Sequence, residues 1–374
     1  LYLAHLVQPL IPGFQLRSLL GSRFVLLLLL CLSILWALGS SVEACQICLP
    51  LPTESLADRI LASEHLVLAR ENPDRPYTLR AIRSLKESAS PPPQVDLFLD
   101  SATRRRLSLD ANLSVLCGWF PEQGEWRRLL LYEKSVAPVV DDIISQSSVW
   151  PEHPERRVHY FADFLTHEHT ALSDLAHIEV ARAPYTQLKQ YADRIPREML
   201  HEKLGNPRRV EWHSLYILFL AQSEDPRDQV FIRQEMADTA RFGLSIQTAA
   251  WATALIEIDG RDGIQKLSEL YLGDADRKPE EITAIHAAFR VHGNNGSVKL
   301  RDRVVAAYGK LLKKQPELAP VLADDLTRWE RFDHAAAFAT LLATTSPDFA
   351  SFVTIRNHLR SAFSTMASTP ASEN

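Results

Sequence analysis

Hydrophobic positions recur along this chain with two different periods, and the change falls near residue 150. Before it, apolar and polar residues alternate, as in Tyr77, Leu79, Ala81 and in Val95, Leu97, Leu99. A period of two puts one face of a strand on a core and the other in water. The runs 65–70, 77–85, 94–100, 105–109, 112–119 and 126–133 therefore predict short strands. The polar stretches "ENPDRP" (71–76) and "SASPPP" (88–93) read as loops between them. One helix precedes the strands: "TESLADRILAS" (53–63) opens on Thr53 as a capping residue and sets Leu56, Ile60 and Leu61 on one face. Five or six short strands behind one helix predict a small antiparallel β-barrel or sandwich over residues 45–135.

From residue 149 onward the period is that of a helix. Val158, Phe161, Ala162 and Leu165 share a face, as do Ile282, Ile285 and Phe289, and as do Leu300, Val304, Tyr308, Leu311 and Leu312. The run "SLYILFLAQ" (214–222) is apolar nearly all round, which predicts an interior helix. Pro226 and Pro279 stand where a helix start tolerates proline, and Gly260, Gly273 and Gly293 stand just past helix ends. "DPRDQVFIRQEM" (225–236) and "DGRDGIQKLSEL" (259–270) each follow an apolar helix and open another, thirty-four positions apart. That spacing suits stacked helical hairpins, each unable to bury its apolar face alone. The expectation is an α+β multidomain chain: the β module, a linker over 136–152, an irregular HEAT-like α-solenoid of five to six helix pairs over 153–363, and a disordered tail over 364–374.

The first 44 residues lie outside this pattern. Arg17 and Arg23 flank "FVLLLLLCLSILWALG" (24–39), and Val42 and Ala44 occupy the −3 and −1 positions of a signal-peptidase site. The apolar run is shorter than the roughly 20 residues that span a bilayer comfortably. Residues 1–44 read as a signal peptide. The protein is then exported, to the periplasm, the cell envelope or the medium, and touches a membrane only through an uncleaved signal or a lipid on Cys45. The chain as a whole is 46% hydrophobic and 23% charged with a formal net charge of −5. That composition is globular. It offers no basic domain or stripe for nucleic acid, Arg104, Arg105 and Arg106 being the one dense basic spot.

Export changes the reading of cysteine. Cys45, Cys48 and Cys117 remain after cleavage, in an oxidising compartment. Leu49 follows the CxxC where haem attachment needs histidine, no strand precedes it as in a thioredoxin-type pair, and three thiols fall short of a zinc site. The preferred reading is a structural disulfide from Cys45 or Cys48 to Cys117. "VEAC" is similar to a bacterial lipobox except at Glu43, so Cys45 is a lipidation candidate, and soluble secretion with cleavage at the same bond is the preferred reading.

The Cys motif, the helix and "SEHLVLARE" together resemble secreted netrin-like, OB-type modules. More of the chain is covered by a second resemblance. The segment 157–195, with "EVARAPY" (179–185) and "AIHAAFRVHG" (284–293), resembles secreted proteins of planctomycete-type bacteria. Those combine a signal, a CxxC, a small β module and HEAT-like helical repeats. The resemblance implies export and this architecture, and it brings no activity.

Candidate chemistry is sparse. "THEHT" (166–170) offers His167 and His169 as metal ligands, although positions two apart do not face each other on a helix. Asp141 and Asp142 are adjacent carboxylates that a cleft could recruit for acid–base work. Tyr185 follows Pro184 and is expected to pack one hairpin on the next. No P-loop, GxGxxG or GxSxG is present, and no cofactor is implied. The sequence thus favours an exported, non-enzymatic interaction protein whose partner is another protein or an envelope component. The alternative is a secreted hydrolase or metal-dependent enzyme with a site at the β–α junction.

Overall fold

A computed structural model describes residues 52, 54–86, 94–244 and 246–368. The first helix, α1 (Leu56–Ala62), is capped by Ser55 through a reciprocal box with Asp58, two positions later than Thr53. Four strands follow: β1 (His65–Glu71), β2 (Leu79–Lys86), β3 (Ser114–Phe120) and β4 (Glu125–Tyr132). They form one antiparallel sheet in the order β2-β1-β3-β4.

The sheet is open, which corrects the expected barrel or sandwich. Two of the expected strands do not join it. Residues 94–100 touch it through one isolated bridge, Thr78 to Phe98. Residues 105–109 belong to a helix, α2 (Ser101–Leu109). Asp100 caps that helix by accepting from Thr103 N–H, and Thr103 and Leu107, one turn apart, form its buried stripe. Arg70 on β1 ties down the other end, donating from Nη2 to Leu107 O at 2.6 Å and from Nη1 to Ala111 O at 2.6 Å. Among the described residues no further strand closes a ring. Arg80 and Arg83 line the outer strand β2, charges that discourage pairing with another chain.

The pleat divides the sheet between two cores. Val67, Ala69, Val115, Cys117 and Trp126 face a small cluster with Val95, Leu99 and Leu107. Leu66, Leu68 and Leu116 face the opposite way, into a core that continues through α1 and the helical part as far as Ile355. The stretch expected as a linker is helical, α3 (Ala137–Ser145), and buries Val139, Val140 and Ile143 in that same core.

The helical part runs α4 (Pro154–Ala162), α5 (Thr170–Ala181), α6 (Tyr185–Leu188), α7 (Arg197–Leu204), α8 (His213–Leu220), α9 (Pro226–Phe242), α10 (Thr248–Asp259) and α11 (Arg261–Leu267), then α12 (Pro279–Asn295), α13 (Val298–Lys314), α14 (Ala319–Arg328), α15 (Ala335–Thr344) and α16 (Phe349–Ser368). The last helix enters the segment expected as a disordered tail and continues to Ser368. Helices alternate in their packing: α10 lies against both α8 and α12, and α11 lies against α13. This order is consistent with a solenoid. Gly293 makes one of the closest approaches, since a Cβ there would meet Trp329 Cη2 at 2.2 Å. Among the described residues no helix is long and apolar enough to cross a membrane.

Polar contacts between helices recur at similar sequence separations. Arg209 reaches Asp174 across 35 positions, and Tyr216 reaches His177 across 39. Arg277 reaches Ala240 O across 37, and His292 reaches Thr253 O across 39. Arg290 and Asp325, and Asn294 and Trp329, are each 35 apart. The spacing is slightly longer than the thirty-four positions between the two similar segments.

Candidate functional site

The residues singled out in the sequence do not converge. Cys45 and Cys48 lie outside the described residues, and with them the lipidation site and one end of the expected disulfide. Cys117 is free and fully buried, its Sγ 3.9 Å from Val115 O. Burial pushes its thiol up to about 12, against the opposing pull of Arg128. His167 and His169 take different partners. His169 Nε2 is 2.5 Å from Glu133 Oε1, while His167 Nδ1 accepts the His169 N–H at 3.0 Å and its ring lies beside Phe164. Among the described residues no three His, Cys, Asp or Glu side chains are placed to hold one metal ion. Asp141 and Asp142 are exposed on α3, and Asp142 accepts from Tyr160 OH at 2.8 Å. Arg104 pairs with Glu71 at 2.6 Å, and Arg105 and Arg106 are exposed on α2.

Tyr185 is different. Pro184 ends the preceding helical path, and the chain then runs as α6 and a 3-10 turn (Lys189–Arg194) before α7. This strap buries Leu188, Tyr191 and Ile195 and packs against α8 and α12. Its polar side chains meet α10. Tyr185 OH donates to Glu257 Oε2 at 2.9 Å, and Lys189 Nζ donates to Oε1 of the same carboxylate at 2.5 Å. Lys189 Nζ also stands 5.4 Å from the centre of the Tyr185 ring, and His292 meets that ring nearly edge-on at 5.9 Å. His292 Nε2 lies 3.0 Å from Thr253 O, and a carbonyl only accepts, so Nε2 carries the proton and Nδ1 keeps its lone pair. Burial lowers the His292 pKa, with Glu257 opposing, so the ring is neutral.

Cavities flank the strap on two sides, and Lys189 lines both. One, of about 190 Å³, is bounded by Tyr185, Lys189, Glu257, His292 and Asn295. The other, of about 420 Å³, is bounded by Lys189, Gln190, Arg197, Phe219, Gln222 and Ser223. Asp228 organises the rim of the larger one. It accepts from Arg197 Nε and Nη2 at 2.6 and 2.7 Å, from Ser223 Oγ at 2.5 Å, and contacts His201 Nε2 at 2.7 Å. Burial would raise the Asp228 carboxyl, but the bonds from Arg197, Ser223 and His201 hold it below the ordinary range. Serine, histidine and aspartate meet here without forming a nucleophilic triad, because the hydroxyl donates to the carboxylate and not to the imidazole. The arrangement suits recognition: donors and acceptors fixed by mutual bonds, beside two hollows.

Sequence reasoning singled out Tyr185 as a packing residue and did not mark Lys189, Glu257, His292, Arg197 or Asp228. Glu257 left one signal, as a carboxylate in the otherwise apolar run "TAAWATALIEI" (248–258), where an unpartnered charge would be costly. No protein-family model matches this chain, and no curated protein and no solved structure matches it either.

Proposed function

We propose that this chain is an exported, non-enzymatic interaction protein whose HEAT-like solenoid offers the strap face, Tyr185 to Ile195 with its two flanking hollows, to another protein or an envelope component. The observation that carries the reading is the recurrence of polar joints 35 to 39 positions apart. Such joints fix each hairpin on the next and give a surface that is rigid along the array. Lys189 sits at the centre of that surface with a carboxylate, a phenol and a guanidinium close by, so a partner meets pre-positioned donors and acceptors. The signal-like segment 1–44 supports export, and a relation to the planctomycete-type secreted proteins belongs to the same reading.

The test compares partner capture by the full chain with two variants. Lys189→Glu reverses the charge shared by both hollows, and Val230→Ser changes an exposed position on α9, 62% accessible, that lines neither hollow. Recovery of one envelope protein that survives Val230→Ser and is lost in Lys189→Glu supports the proposal. Equal recovery with both would end it.

A further inference from the structure

We infer that the cleft between α1 and β4 is a binding site for an organic oxyanion, a small molecule carrying a carboxylate, sulfate or phosphate group. The cleft is separate from the strap and has a volume of about 690 Å³. Pro52, Arg59, Leu97, Trp126, Arg127 and Arg128 line it, together with a single carboxylate, Glu54. Of its three guanidinium groups, carboxylates outside the lining pair with two, those of Arg127 and Arg128.

Two of the lining residues carry buried N–H donors without an acceptor among the described residues, Trp126 Nε1 and Arg59 Nε. Buried donors are almost always satisfied, by protein, by water or by a ligand. Trp126 is 6% exposed, and its ring packs on its cross-strand neighbour Trp119 with centroids 5.7 Å apart, so the indole has little freedom to turn and find a partner. Arg59 makes no ion pair with any described residue. Its two neighbours are already fixed. Arg128 is held by Asp100 at 2.7 Å and Thr103 at 2.8 Å, and Arg127 by Glu125 at 2.6 Å with its guanidinium over the Phe120 ring.

An oxyanion is the group these donors lack, since it only accepts and its charge matches the one guanidinium of the cleft without an ion pair among the described residues, that of Arg59. Arg59 supplies the unpaired cation and Trp126 a neutral donor of fixed direction. Leu97 and Pro52 give the organic part of the ligand an apolar wall. Glu54 disfavours a dense polyanion and favours a ligand with a hydroxyl or ammonium group on that side.

The experiment follows the Trp126 indole N–H resonance of the full chain, titrated with inorganic phosphate, sulfate or gluconate at constant ionic strength set by chloride. The Trp126→Phe variant identifies the resonance, and circular dichroism checks that Arg59→Gln folds as the parent does. The expected result is a saturable shift with at least one of the three probes, weakened tenfold or more in Arg59→Gln. Calorimetry on Trp126→Phe should show weakened binding of the same probe. Shifts that chloride reproduces, or affinities unchanged in both variants, would overturn the inference. So would a Trp126 indole N–H resonance that already carries the downfield shift of a hydrogen-bonded donor in the ligand-free chain, because the donor would then be engaged by the protein itself.

Discussion

Arg157 holds Asp58 across 99 positions of sequence, its Nη2 2.5 Å from the carboxylate Oδ1. The same nitrogen lies 2.7 Å from Glu179 Oε1, and Arg182 takes the other oxygen of Asp58 at 2.5 Å. Four charged groups thus join α1 to α4 and α5, at the seam between the sheet region and the helices. Glu179 is only 3% exposed, so removing Arg157 would leave a buried carboxylate short of its nearest cation. Breaking a buried pair from one side costs about 3–5 kcal/mol. Arg157→Ala should lower unfolding stability by an amount near that range in a urea titration, and Arg157→Lys by less. A loss under about 0.5 kcal/mol, typical of an exposed pair, would show the seam to be weak.

The same carboxylate gives a pH signature. Burial alone would raise Asp58, but the Ser55 N–H, Arg182 and Arg157 hold it at about 2, below its ordinary 3.8. A carboxylate depressed in the folded state contributes stability above its unfolded pKa and loses it as pH falls through the folded one. The contribution, about 2 kcal/mol by linkage, should be complete above about pH 5 and lost progressively toward about pH 1. Asp58→Asn should flatten the acid limb of the stability curve in that window.

His177 titrates with the same sign in a higher window. Its Nδ1–H donates to Ser173 O at 2.7 Å, and its Nε2 accepts from Tyr216 OH at 2.9 Å, so the buried joint between α5 and α8 needs the neutral ring. Burial lowers its pKa to about 4, helped by Arg209 and Lys203 against the pull of the Ser173 carbonyl and Asp174. Burial also lowers fully buried His358 to about 4. A histidine depressed on folding leaves stability unchanged above its unfolded value near 6.5. Below that the unfolded chain binds the proton first, and stability falls until about pH 4. Each ring should account for roughly 3 kcal/mol across that window. Chemical denaturation at a series of pH values should show the slope, and His177→Asn should remove about one proton from it. An unchanged slope would place His177 in contact with water.

Gly293 and Trp329 make a steric prediction. A methyl group at 293 would stand 2.2 Å from the indole, which a packed core cannot absorb without displacing a large ring. Trp329 is also held by its Nε1–H, which donates to Asn294 Oδ1 at 2.8 Å. Gly293→Ala should destabilise by about 1–3 kcal/mol or somewhat more. Adding Trp329→Leu should recover part of that loss, a coupling a double-mutant cycle would read directly. Additive losses would mean that the ring moves aside freely.

The particulars explain what could be read from the sequence. The helical part was legible because its apolar stripes are local: Leu300, Val304, Tyr308 and Leu311 lie on one face whatever they pack against. Residues 105–109 were misread because five residues fit either period, although the Asp100 cap signal was present. Whether a sheet closes depends on pairing between distant segments, which no local pattern encodes. The strap was half legible for the same reason. Pro184 marked Tyr185, but its partner Glu257 lies 72 positions away, on a helix whose neighbours the sequence does not name.

Cys117 offers a chemical test of the β3 environment. It is fully buried among Val67, Val115 and Trp126, and its thiol is pushed up to about 12. Thiolate is the reactive form, so at pH 8 only about one thiol in ten thousand would be ionised even if reagent could reach it. A disulfide-exchange reagent should therefore leave Cys117 unmodified in the folded chain for hours and modify it within minutes in concentrated guanidinium, with no reductant added. Peptide mapping of the modified chain would locate the reagent on Cys117. Rapid reaction in the folded state would show that this part of the sheet opens readily. A site that reacts in denaturant only after reduction would instead place Cys117 in a bridge with one of the two earlier cysteines.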